Sequence, residues 1–216
     1  MGIRTFVSFA ALAMLVPSTA AAQGMSASGH VGTLGIGADV SIGILPRVAL
    51  RAGANVQPWK PKREIDDIDF ELTLPSPSFL GAVDIRLLGP LRISGGLVSF
   101  GSDIEVTGQL TEDVEIGDAT YSPEQIGALS GVFETRSLAP WVGIGLAKSV
   151  GPGVGFLLDL GVAFTGEPDV SLSASGPIAN DPTFQANLRQ EEQNLQDDAK
   201  LVKLYPIVSI GMSIGW

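Results

Sequence analysis

The chain closes with Ser209-Ile210-Gly211-Met212-Ser213-Ile214-Gly215-Trp216, in which every second residue is large and apolar and the residues between are serine or glycine. A period of two marks a strand with two unlike faces. In a soluble sheet the apolar face lies in a protein core and the other is kept wet by Lys, Glu, Thr or Gln. Here the second face is merely small, and the last residue is a tryptophan. Which solvent the apolar side meets therefore decides the fold.

The same alternation recurs upstream. Leu34, Ile36, Ala38, Val40, Ile42 and Ile44 interleave with Gly35, Gly37, Asp39, Ser41 and Gly43. Val48, Leu50, Ala52, Ala54 and Val56 follow, against Arg47, Ala49, Arg51, Gly53 and Asn55. Phe79 to Leu87, Leu91 to Leu97, Trp141 to Ala147 and Val154 to Thr165 repeat it, with Asp84, Arg86, Arg92 and Asp159 among the small residues of the second face. Small residues suit the crowded interior of a narrow barrel, and the apolar face then looks out to lipid. The expected fold is all-β: an eight-stranded antiparallel up-and-down transmembrane β-barrel.

The connections fit that expectation. Short Pro or Gly turns at 44–47, 88–91 and 150–153 alternate with long polar connections at about 60–68, 111–135 and 177–202, as in barrels with short periplasmic turns and long external loops. Seven strands are clear, and a short first strand over 24–32, turning sharply at Gly32-Thr33, makes the count even and puts both termini on the periplasmic side. Two loop helices are expected. Ser122-Pro123-Glu124-Gln125 is a capping box with proline at the first helical position, giving a helix over about 123–129. Asp181-Pro182 opens a longer one in which Phe184, Leu188, Leu195 and Ala199 share a face; it is expected to pack over its own barrel, the alternative being a partner.

Composition narrows the class. Charged residues make up only 17% of 216 residues, yet after the first twenty no apolar run approaches the ~18 residues of a spanning helix. The absence of cysteine removes disulfides, thiolate metal sites and cysteine nucleophiles. A net charge of −10 argues against nucleic acid. Arg4, the apolar stretch Phe6 to Val16 and the small residues ending at Ala22 have the three-part form of a secretory signal peptide. Residues 1–22 are thus expected to be removed on export, leaving 23–216 as one outer-membrane barrel domain.

Ser209, Gly211, Ile214 and Trp216 resemble the pattern that ends the last strand of bacterial outer-membrane proteins. That resemblance implies recognition by the barrel-assembly machinery, a form of strand addition. The whole arrangement resembles the small monomeric outer-membrane barrels of Gram-negative bacteria, of the OmpA, OmpX and OmpW types. G-T-L-G-I-G-A-D-V (32–40), T-Y-S-P-E-Q-I-G-A-L-S-G (120–131) and A-P-W-V-G-I-G (139–145) are similar to a group of proteobacterial outer-membrane proteins. The resemblance implies fold and location, with outer-membrane lipids and lipopolysaccharide as surroundings. It implies no activity, cofactor or cell-wall tether.

Three constellations could carry chemistry. His30 is the sole histidine, so a lipid-modifying enzyme built on a histidine-activated serine would depend on it; no serine and acid converge on it by sequence logic. Asp39, Arg51, Asp84, Arg86 and Asp159 project inward, the first three at similar heights, and are expected to pair as a charge network that fills the lumen, since an isolated ion there is costly. A narrow polar path for small solutes is the functional alternative. The acidic run 64–71, with Asp66, Asp67 and Asp69, offers oxygen ligands for Ca²⁺ or Mg²⁺, but its spacing matches no ion-binding loop and it reads equally as a solvated surface. The expected role is structural or surface-interacting, through the external loops, without catalysis.

Overall fold

The structure is a computed structural model describing residues 24–65, 68–147, 152–199 and 203–216. The expected signal peptide, Asp66 and Asp67 lie outside the described residues. The elements, in chain order, are β1 (Met25–Gly32), β2 (Gly35–Leu45), β3 (Val48–Val56), β4 (Lys62–Ile65), β5 (Ile68–Thr73), β6 (Ser78–Arg86), β7 (Leu91–Phe100), β8 (Ile104–Leu110), β9 (Val114–Ile116), β10 (Ala119–Tyr121), α1 (Pro123–Ile126), β11 (Ala128–Glu134), β12 (Leu138–Ala147), β13 (Gly153–Phe164), β14 (Asp169–Ala174), α2 (Pro182–Ala199) and β15 (Leu204–Gly215).

Strands β1, β2, β3, β6, β7, β12, β13 and β15 close a barrel, each paired antiparallel with its neighbours in that order. Closure joins the first strand to the last. β1 pairs with β15, and Met25 and Trp216 exchange backbone hydrogen bonds of 3.0 and 2.9 Å. A closed barrel leaves no strand edge unpaired, the condition for crossing a bilayer with strands. The short strand expected at the N-terminus is present as β1.

The alternation sorts by face. Ile210, Met212 and Ile214 are 60%, 65% and 54% exposed on the outer wall, and the apolar sets of β2, β3, β6, β7, β12 and β13 join them in one continuous belt. Soluble monomers rarely carry contiguous apolar patches above a few hundred Å²; lipid is the solvent this belt suits. Trp216 and Trp59 are both exposed, one at each end of the wall, where an aromatic ring suits a mixed interface. Leu34 is an exception. Although it has the parity of the lipid-facing set, it is buried in the lumen, because it belongs to the turn before β2, where Gly35 at φ 98° breaks the alternation.

The region read as long polar loops is largely folded. Five strands in the order β14, β11, β8, β5, β4 form a second sheet beyond the barrel, and β9 with β10 form a small hairpin. The acidic segment at 62–73 is therefore a hairpin, β4 with β5, rather than a loop. The first helix stops at Ile126 instead of 129 because Gly127 turns at φ 69° and the chain enters β11. Helix α2 begins as expected, with Asp181 Oδ1 accepting from the Thr183 and Phe184 amides at 2.8 and 3.1 Å. It packs on β14 of the external sheet and on β9 of the small hairpin. Its Phe184 and Leu188 share an apolar core with Ile116 and Ile126.

Helix α2 also serves as a substitute strand. Among the described residues one edge of β14 faces no further strand, and its alternate amides at Val170 and Leu172 donate instead to Gln196 Oε1 at 2.8 Å and Glu192 Oε1 at 2.7 Å. The two acceptors lie four residues apart, one helical turn, so both meet the same strand. Free strand edges invite pairing with other chains; here the helix occupies one.

Candidate functional site: a charge cluster across the lumen

The inward face of the barrel carries its chemistry at mid-height. Arg51 on β3 donates from Nη1 to Asp159 Oδ2 on β13 at 3.0 Å and from Nη2 to Asp84 Oδ1 on β6 at 3.2 Å. Its Nη1 also lies 3.5 Å from Asp39 Oδ2 on β2. Strands β3 and β13 stand four places apart around the eight-stranded ring. The Arg51–Asp159 contact therefore spans the diameter of the barrel. Trp141 on β12, 2% exposed, lies beneath the same guanidinium at 5.6 Å from ring centroid to Cζ, a cation–π contact in a water-poor setting.

Arg92 on β7 completes the cluster. It donates to Asp84 Oδ2 at 2.9 Å and to both oxygens of Asp159 at 2.8 Å, and Ser94 donates to Asp84 Oδ1 at 2.6 Å. Three carboxylates thus share two guanidiniums, and His30 Nδ1 stands 3.6 Å from Asp39. The other ring nitrogen, Nε2, bonds to Asn55 Oδ1 at 2.8 Å. Buried ions so paired and hydrogen-bonded are tolerated, whereas a single unpartnered one would not be.

Glycines make the room. In register, Arg92, Gly145 and Asp159 form one row across β7, β12 and β13. A Cβ at Gly145 would collide with Asp159 Oδ1 and stand 3.0 Å from Arg92 Nε. A Cβ at Gly53 would collide with Asp39 Oδ1 in the same way. Gly81, by contrast, faces open space on the outer wall. Gly145→Ala should cost about 1–3 kcal/mol by overpacking, while Gly81→Ala leaves stability unchanged or slightly raised; equal denaturant midpoints for the two refolded variants would contradict this arrangement.

Of the expected network, Asp39, Arg51, Asp84 and Asp159 meet, and Arg86 does not. Arg86 lies nearer the short-turn end of β6, directly opposite Arg92 in register, and makes none of the ion pairs. Arg92, Ser94, His30, Asn55 and Trp141 belong to the cluster without having been singled out for it. Sequence parity already put Arg92 and Trp141 inward; only the register shows which carboxylates they reach.

The lumen is closed above the cluster and open below it. Toward the long connections, Leu34, Leu80, Val98, Phe100 and Ile207 form an apolar plug with Tyr205 packed against it, and Tyr205 donates to the Thr33 carbonyl at 2.9 Å. Between plug and cluster remains a gap of about 20 Å³, roughly room for one water. At the short-turn end a vestibule of about 390 Å³ runs up to Arg51, Asp84 and Arg92.

Ser209 and Gly211 take the inward parity of β15, while Ile214 and Trp216 face outward. A Cβ at Gly211 would collide with the Gly29 carbonyl of β1, so that position is also one where the closing strands approach tightly. Among the described residues no group of three His, Asp or Glu side chains is placed to hold a metal ion. Of the acidic run, Asp69 lies on β5, opposite Glu64 on β4.

Solved structures share this architecture. The crystal structure of Acinetobacter baumannii CarO2 matches with a TM-score of 0.66 at 20% identity, over 89% of this chain and 98% of that one. That of Acinetobacter baumannii CarO matches with a TM-score of 0.60 at 20% identity, over 88% and 97%. The fold is that of an outer-membrane β-barrel. A major outer membrane protein from Thermus thermophilus also aligns, over 90% of this chain and 100% of that one, at 12% identity and a TM-score of 0.40. No family model matches the chain, and no curated protein sequence does.

Proposed function

We propose that this protein resides in a bacterial outer membrane as a monomeric barrel with a closed lumen, and acts through its external sheet and helix as a structural or surface-interaction protein. The observation that carries the reading is the diametric contact of Arg51 with Asp159 at 3.0 Å. An eight-stranded barrel is just wide enough for side chains to fill, and this pair with its neighbours fills it. The exposed apolar belt and the two interfacial tryptophans support placement in a bilayer. Long connections on one side and short turns on the other support an outward-facing sheet, against lipopolysaccharide, with both termini in the periplasm. Export by a signal peptide at 1–22 and delivery by the barrel-assembly machinery complete the proposal.

A narrow channel for small polar or hydrophobic solutes is a second reading, and the vestibule of about 390 Å³ speaks for it. It requires the diametric contact to open. A lipid-modifying enzyme has less support, because His30 is bonded to Asn55 and faces Asp39 rather than a hydroxyl nucleophile. Liposome swelling tests the closed-lumen reading: vesicles carrying the refolded protein should swell in small sugars and amino acids no faster than protein-free vesicles. Swelling that depends on solute size would favour the channel.

A further inference from the structure

The short-turn vestibule has a chemistry that the closed-lumen role does not use. Four arginines line it, Arg47, Arg51, Arg86 and Arg92, and among the described residues the single acid in its wall is Asp84. Asp84 is already committed to Arg51, Arg92 and Ser94. Including Asp39 and Asp159 behind the wall, the four guanidiniums still exceed the three carboxylates, in a chain whose net charge is −10. Surplus positive charge at this mouth is thus local and contrary to the molecule as a whole.

One further observation points to a ligand. Arg86 and Arg92 are direct register partners on adjacent strands, and like charges so placed destabilise a sheet. Arg92 is held by Asp84 and Asp159, whereas Arg86 has no carboxylate partner among the described residues. Ser28, Ser41 and Ser213 add hydroxyls to the same wall.

We propose that the vestibule is a binding site for a small solute bearing a phosphate or carboxylate group, with Arg86 and Arg47 as its principal contacts and the Arg51–Arg92 cluster as its floor. Guanidinium forks match the geometry of oxyanions and bind them by paired charge-assisted hydrogen bonds. An oxyanion beside Arg86 would also relieve its repulsion from Arg92. A volume of about 390 Å³ is in the range of small-molecule pockets rather than bare-ion sites. Entry from the periplasm rests on the orientation proposed above; the binding itself does not.

Calorimetric titration of the refolded barrel in detergent, with inorganic phosphate in one arm and succinate in the other, tests the site at low and moderate ionic strength. Saturable binding of at least one is expected, and the stronger arm identifies the oxyanion. Arg86→Gln should weaken it about tenfold or more, the loss of a charge-assisted bond, and Arg47→Gln should weaken it less. Arg86→Lys should retain part of the affinity. Because Arg86→Gln removes a like-charge pair, the ligand-free variant should melt no lower than the parent, which separates loss of binding from loss of fold. Absence of saturable binding in both arms, an unchanged affinity in Arg86→Gln, or equal weakening by Lys203→Gln on the external side would overturn the proposal.

Discussion

Arg51→Leu is expected to lower the stability of the refolded barrel by about 3–5 kcal/mol, the usual cost of removing one partner from a buried ion cluster. The reason is what remains. Asp39, Asp84 and Asp159, each 5% exposed, would then share Arg92 alone, and Asp39 would keep only His30 and its polar neighbours. Leucine restores apolar volume but supplies none of the donors that Asp84 and Asp159 now accept. Arg63→Leu, on the external hairpin, is the matched control and should change stability by no more than about 0.5 kcal/mol. A second variant, Arg51→Leu with Asp39→Asn, should recover part of the loss by removing a stranded charge. Urea midpoints and the temperature at which the folded band disappears in electrophoresis would read the series. Equal losses in Arg51→Leu and Arg63→Leu would show that the cluster does not hold the barrel.

Trp216→Ser is expected to act on assembly rather than on the folded state. The backbone bonds between Met25 and Trp216 need no particular side chain, and the indole is 58% exposed at the outer wall. Refolding in detergent should therefore proceed as for the parent. In cells the amount reaching the outer membrane should fall several-fold, and Ile214→Ser, two residues earlier on the same face, should act in the same direction. A normal assembled level with Trp216→Ser would count against a recognition role for Ser209, Gly211, Ile214 and Trp216, and would leave the tryptophan as an interfacial anchor only.

The barrel was legible in the sequence because lipid imposes a strict rule on it. Every spanning strand must show one apolar face, so the parity of residues such as Val40, Phe79 and Ile210 reveals both the strand and its outer side. The external sheet obeys no such rule. Strands β8 and β14, I-E-V-T-G-Q-L and D-V-S-L-S-A, are short and weakly apolar, and their stability comes from pairing with β11, far along the chain. Local pattern cannot report such a partner. The same limit explains Arg86 and Arg92. Parity puts both inside, at one height, but only the row through Gly145 brings Arg92 against Asp159, while Arg86 faces the vestibule. Leu34 shows the converse, a residue with the right parity placed inside because the turn at Gly35 intervenes.

Single-channel recording of the wild-type protein in planar bilayers tests the central claim most directly, because the contact of Arg51 with Asp159 either closes the lumen or does not. The account predicts a flat baseline, without discrete openings, at any moderate voltage in concentrated KCl. Stable openings of a reproducible step size would contradict it.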